Sequence, residues 1–152
     1  MSAAPAQWAQ FEWVVFGIGN RSRGDDAAGP LILDWLADQP PPPGGWLLLE
    51  VFQLQPEHVL DMAQGRQVLF VDACLGLPEG WRLDPCVADP AAPAFSHQLS
   101  PEQLMAVYQQ TLDSAPPLAW TLRICAESTD LGTALSPRTS QNLQKLTTDS
   151  AN

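Results

Sequence analysis

Phe11-Glu12-Trp13-Val14-Val15-Phe16-Gly17-Ile18-Gly19-Asn20-Arg21-Ser22-Arg23-Gly24-Asp25-Asp26 is the stretch that decides the fold. Phe11 to Phe16 is a largely apolar, β-favouring run, the pattern of a strand covered on both faces. Gly17 to Asp25 reads as a turn. Beyond it Ala28, Leu31, Ile32, Trp35 and Leu36 recur at helical spacing. Asp25 and Asp26 stand at the helix start, where carboxylates cap free N–H groups and face the positive end of the helix dipole. Pro30 is tolerated only in the first turn, and the helix stops before Pro40 to Pro43.

The same alternation continues along the chain. Trp46 to Val51 reads as a second strand, Pro56 to Ala63 as a short helix closed by Gly65, and Val68 to Val71 as a third strand ending at Asp72. Residues 75–96 are rich in Pro and Gly, with Trp81 to Val87 as an edge strand. Ser100-Pro101 opens a helix through Leu112, with Ser100 as N-cap and Pro101 at the first helical position. Leu118 to Ala126 is a further strand, and Ser136-Pro137 opens a last helix through Leu146. Strands alternating with helices imply a three-layer α/β/α sandwich around a mainly parallel, twisted sheet of about five strands. The whole chain, 1–152, reads as a single domain, with loose ends at 1–10 and 147–152. In such sheets sites form beyond the C-terminal strand ends, which singles out the turn after Phe16 and the segment after Val71.

Composition narrows the function classes. At 152 residues and 45% hydrophobic, the chain is long enough and apolar enough for a real core. No apolar run approaches the roughly 20 residues that span a bilayer. Met1 to Gln10 has neither the basic residue nor the apolar stretch of a signal peptide, so a cytoplasmic location is expected, with no membrane partner. Seventeen acids against 7 Lys+Arg give a net charge of −10, which repels nucleic acid. The three cysteines, Cys74, Cys86 and Cys125, lack metal-finger spacing and fit reduced thiols.

Three places carry candidate chemistry. Gly17-Ile18-Gly19-Asn20 after a strand suggests dinucleotide binding, with Glu50 at the next strand end as a ribose partner. Ser22 stands where the fingerprint has its third glycine, however, and two aspartates would repel a pyrophosphate at the helix start. The alternative there is a tight turn with an acidic cap. Asp72 closes a buried strand, a costly place for a carboxylate unless a loop, a ligand or an acid/base role satisfies it. His97 precedes a helix N-cap in a Pro/Ala-rich loop, where a lone histidine is usually a surface residue. Of the two histidines, His58 falls within a helix and reads as ordinary. Together Asp26, Asp72 and His97 form two carboxylates and an imidazole, a set suited to nickel or zinc. Cys74, two residues after Asp72, raises a thiol protease as the rival. Asp72 and the apolar Ala73, Leu75 and Leu77 disfavour a thiolate, and Cys74 reads as a small apolar residue near the core.

At these residues the chain resembles the [NiFe]-hydrogenase maturation endopeptidases. Gly17-Ile18-Gly19-Asn20 followed by Asp25-Asp26 is similar to the family's GxGN turn and acid pair. Val71-Asp72-Ala73 is similar to its strand ending in Asp-Ala, and Ser96-His97-Gln98-Leu99-Ser100-Pro101 to its Thr/Ser-His-Gln-Leu-Ser-Pro segment. Glu127 to Leu131, Gly132 and Leu135-Ser136-Pro137 resemble its last strand end and final helix. The resemblance runs from about Phe11 to Leu146. The chain departs from it at Ala27-Ala28, where the family often has glycine after the acids, and at Asp26, which is Glu in some members. The resemblance implies an endopeptidase that removes the C-terminal extension of a nickel-loaded hydrogenase large-subunit precursor. Asp26, Asp72 and His97 would contact nickel on that substrate rather than hold it as a permanent cofactor, and the enzyme would act as a monomer. A non-catalytic chaperone of the large subunit is the alternative from another class.

Overall fold

The computed structural model describes residues 9–89 and 99–150. Its centre is a five-stranded sheet. β1 (Phe11–Ile18) lies between β2 (Trp46–Val51) and β3 (Gly65–Leu75), parallel to both. β5 (Leu118–Ala126) extends the sheet in parallel beyond β3, and β4 (Trp81–Pro85) closes that edge antiparallel to β5. The order is β2-β1-β3-β5-β4. The chain leaves β1 towards β2, then crosses back to β3 on the other side. The switch point of the sheet therefore lies between the C-terminal ends of β1 and β3, where α/β folds place their ligands.

Helices cover both faces. A 3-10 turn, Gly24–Ala27, leads into α1 (Ala28–Ala37), and α1 packs with α4 (Pro137–Ser150) on one face. There Ala28, Ile32, Leu33 and Leu143 meet Val15, Val71, Leu122 and Ile124. On the opposite face α2 (Val59–Met62), entered through a 3-10 turn at Pro56–His58, packs beside α3 (Pro101–Leu112). Val59, Met62, Leu104 and Tyr108 cover Val14, Phe16, Ile18 and Phe70. Strand residues thus alternate between two apolar layers, which is why β1 reads as a continuous apolar run rather than an alternating one. Phe16 and Phe70, register partners, stack with centroids 5.4 Å apart. The α/β/α sandwich is as the sequence implies, and among the described residues no helix is long and apolar enough to cross a membrane.

Several boundaries differ from the sequence reading. β1 runs on to Ile18, and β3 passes Asp72 to end at Leu75, because β5 continues to pair with it through Asp72↔Arg123 and Leu75↔Ala126. Asp72 is therefore held in register rather than at a strand end. β4 ends at Pro85 rather than Val87, although the Cys86 N–H still donates to the Ala119 carbonyl of β5 at 2.8 Å. The C-terminal segment expected to be loose continues α4 through Ser150, with the Thr147 hydroxyl donating to the Leu143 carbonyl at 2.9 Å. Gln10 is likewise tied in, its N–H donating to the Gln64 carbonyl at 2.8 Å.

One close approach sets the position of α1. A Cβ on Gly29, in its first turn, would lie 2.7 Å from both the Ile18 nitrogen and the Val71 carbonyl oxygen. Only glycine lets the helix start press onto the ends of β1 and β3, and that brings Asp26, just upstream, over the switch point.

Candidate active site

Asp26 and Asp72 line one cleft of about 390 Å³, together with Ile18, Phe52, Gln53, Leu99, Ser100 and Arg123. Asp72 comes from β3, at the register step where pairing with β1 has stopped at Gly17↔Val71 and pairing with β5 goes on. Asp26 comes from the turn after β1. The departure of β1 opens the gap into which both carboxylates project.

The acid pair does not cap a helix, contrary to the sequence reading: neither the 3-10 turn nor α1 has a side-chain cap. Asp26 instead accepts a hydrogen bond from the Asn20 N–H, 2.7 Å from its Oδ2. Gly19 makes this turn possible. Its φ is +144°, and a Cβ there would collide with the Asp26 carbonyl oxygen. Asn20 Oδ1 also accepts from the Ser22 N–H at 2.8 Å, an Asx turn that stiffens the loop.

Asp25 points the other way and is fully buried. Its Oδ2 accepts from the Glu127 N–H (2.7 Å), the Ser128 N–H (3.2 Å) and the Ser136 hydroxyl (2.8 Å), and its Oδ1 from the Ser136 N–H (2.7 Å). Burial alone would raise its pKa, but these hydrogen bonds outweigh burial and hold the carboxyl below the usual aspartate value. Asp25 locks the β5–α4 loop to the turn that carries Asp26, so adjacent acids have separate tasks.

Asp72 is shifted in the opposite sense. Burial, and next the charge of Asp26, push its carboxyl up to about 7, against the Ala73 N–H and the Arg123 guanidinium, which pull it down. Arg123 is a residue the sequence reading missed. The signal was a lone cation inside the apolar strand Leu118 to Ala126. Its guanidinium donates to the Thr121 hydroxyl at 3.0 Å and to Glu102 at 3.1 Å, tying the first turn of α3 to the floor of the cleft.

Glu50, considered above as a ribose partner, is engaged by Arg21. Arg21 Nη2 stands 2.7 Å from Glu50, and Nη1 2.8 Å from Asp34. The Asn20 N–H, which a phosphate at this turn would need, is given to Asp26. The residues behind the dinucleotide reading are thus used within the protein.

His97 lies outside the described residues. Leu99, two positions later, bridges Leu54, and both Leu99 and Ser100 line the cleft. Ser100 caps α3 as expected, its hydroxyl accepting from the Gln103 N–H at 3.1 Å while Gln103 accepts from the Ser100 N–H at 2.7 Å. His58 is structural: its Nδ1 accepts from the Gln55 N–H at 2.9 Å and its ring packs edge-on to Phe16. Cys74 is half-buried and is not in the wall of the cleft, while Cys86 and Cys125 are buried. Burial first, then the charge of Glu102, push the Cys86 thiol up to about 12, which leaves it inert at neutral pH. Among the described residues no group of three His, Cys, Asp or Glu side chains stands together as a metal site.

No protein-family model and no curated protein sequence matches the chain. Solved structures do. The hydrogenase maturating endopeptidase HybD from Escherichia coli superposes with a TM-score of 0.73 at 18% identity, over 92% of this chain and 90% of that one. The [NiFe]-hydrogenase maturation protease HycI from Thermococcus kodakarensis gives 0.65 at 23% identity, over 92% and 90%. A hydrogenase 3 maturation protease gives 0.64 at 19%, over 91% and 88%. The chain has the fold of the hydrogenase maturation proteases. The likeness spans nearly the full length of each partner, so the maturation-protease fold accounts for the whole described chain. The cleft at its switch point is built from this chain's own Asp26 and Asp72.

Proposed function

We propose that this protein is a maturation endopeptidase that removes the C-terminal extension of a nickel-loaded [NiFe]-hydrogenase large-subunit precursor. The observation that carries the reading is the convergence of Asp26 and Asp72 on one cleft at the switch point of a maturation-protease fold. Two carboxylates facing each other repel, and Arg123 offsets this only in part. A cation delivered into the cleft relieves that repulsion, so the pair suits a metal ion carried by the substrate. His97 supplies the third contact, and an imidazole with two carboxylates matches the donor preferences of nickel.

Asp26 is oriented by the Asn20 N–H and acts as a fixed contact. Asp72 holds its proton up to about pH 7 in the uncomplexed cleft, which places it near the range where a carboxylate serves as a general base at physiological pH. The nickel is part of the substrate here, and its presence reports that the large subunit is ready for processing. The protein would work as a soluble cytoplasmic monomer.

The test is intact-mass spectrometry of nickel-loaded precursor before and after mixing with the purified protein. Loss of the C-terminal extension is the expected result. A stable complex without mass loss would make the protein a binding chaperone instead.

A further inference from the structure

The cleft with Asp26 and Asp72 is the middle of a longer trough. On the β2 side it shares Phe52 and Gln53 with a second depression that reaches His58. On the β5 side Asp26 and Asp72 also wall a depression of about 500 Å³ with Arg23, Leu75 and Thr129. Leu75 in turn belongs to a further depression lined also by Cys125, Ala126, Glu127 and Arg138. The trough therefore crosses the C-terminal ends of β2, β1, β3 and β5 in turn. Three inter-strand steps of about 4.8 Å give about 14 Å, the length of roughly four extended residues.

Two features give the trough a character. Phe52 is 73% exposed and Leu75 60% exposed, and they stand on opposite sides of the carboxylate pair. Unlike Leu60, Leu83 or Leu118, which are comparably exposed, these two line the depressions that Asp26 and Asp72 wall, so a chain laid across the carboxylates would cover them. The charges are also unevenly placed. Of the 7 basic residues in this chain of net charge −10, Arg23 lines the β5 arm beside the carboxylates, and Arg138 lies further along it next to Glu127, donating to the Pro78 carbonyl at 2.9 Å, while the β2 arm offers Phe52, Gln53 and His58.

We infer that the trough binds an extended segment of the substrate polypeptide across the carboxylate pair, with one apolar side chain on Phe52, another on Leu75, and an acidic side chain or terminal carboxylate on the Arg23 side. This deepens the peptidase reading and rests on it, naming the part of the substrate the enzyme reads besides the metal. The polarity follows from charge complementarity, since an anion entering the β2 arm finds no arginine there among the described residues, whereas Arg23 lines the depression on the β5 side of the carboxylate pair.

The experiment compares Phe52→Ser, Leu75→Ser and Arg23→Gln with the wild-type protein on nickel-loaded precursor, by steady-state cleavage and by direct binding. Leu60→Ser is the control, because Leu60 is 62% exposed on α2 and lies outside the trough. Partial burial of a Phe or Leu side chain on binding leads one to expect a rise in KM of about tenfold for each apolar variant. A smaller rise is expected for Arg23→Gln, little change in kcat for all three, and no change for Leu60→Ser. Wild-type cleavage with KM unchanged in both apolar variants would overturn the trough. Wild-type binding without cleavage, weakened by the same variants, would instead sink the peptidase reading and leave the trough standing. Precursor that is neither bound nor cut overturns both.

Discussion

The Asp26 carboxylate accepts the backbone N–H of Asn20 at 2.7 Å, so the turn that ends β1 aims the first acid of the candidate site. The turn depends on Gly19. Replacing it by alanine puts a Cβ into the Asp26 carbonyl and forces an L-residue to a φ of +144°. Such strain costs about 1–3 kcal/mol. Gly19→Ala should therefore lower the melting temperature by several degrees and reduce precursor cleavage by more than tenfold. A variant with wild-type cleavage would show that the position of Asp26 does not matter.

Asp72 makes stability depend on pH in a defined direction. Its carboxyl moves from 3.8 to about 7 on folding, so between about pH 4 and pH 7 the native state binds a proton that the unfolded chain has lost. From this group stability falls as pH rises through that window, then levels off. Asp72→Asn removes the fall. Calorimetry should find the variant more stable than wild type at pH 8 and closely matched to it near pH 4. Equal stability at both would place Asp72 in open water.

Asp25 gives the opposite sign. Its folded-state pKa is lowered, so it contributes stability above the unfolded value that is lost as pH falls through the folded one. Asp25→Ala orphans the N–H groups of Glu127, Ser128 and Ser136. Hydrogen bonds to a charged group are worth about 1.5–3 kcal/mol each and do not add fully, so a loss of about 3 kcal/mol is expected by denaturant unfolding. Ser136→Ala, which removes one donor, should cost about 1 kcal/mol.

Cys74 is the test of the thiol rival. It lies off the cleft wall, and its thiol donates to the Leu75 carbonyl at 3.8 Å. Cys74→Ser should cleave nickel-loaded precursor at the wild-type rate, and an alkylating agent should not stop the reaction. A folded but inactive Cys74→Ser protein would make this a cysteine protease.

Much of this was readable from sequence, for a physical reason. Strands covered on both faces must be apolar throughout, so Phe11 to Phe16, Trp46 to Val51 and Leu118 to Ala126 stood out. Gly17 and Gly19 with the acid pair marked the switch point. The extension of β3 past Asp72 was hidden, since Asp72, Ala73 and Cys74 interrupt the apolar pattern and only pairing with β5 keeps them extended. The division of labour between Asp25 and Asp26 was hidden for a similar reason. Asp25 answers to Ser136, 111 positions away, and no local pattern announces that partner. Arg123 acts through Glu102 and Asp72, on a helix and a neighbouring strand distant in sequence.

The most direct measurement is cleavage of nickel-loaded and nickel-free precursor, side by side, by the wild-type protein and by Asp26→Ala, Asp72→Ala and His97→Ala, followed by intact mass. The account predicts that wild type shortens the nickel-loaded precursor alone. Each variant should remain folded by circular dichroism and leave both precursors whole. Normal processing by Asp72→Ala, or equal cutting of nickel-free precursor by the wild type, would contradict it.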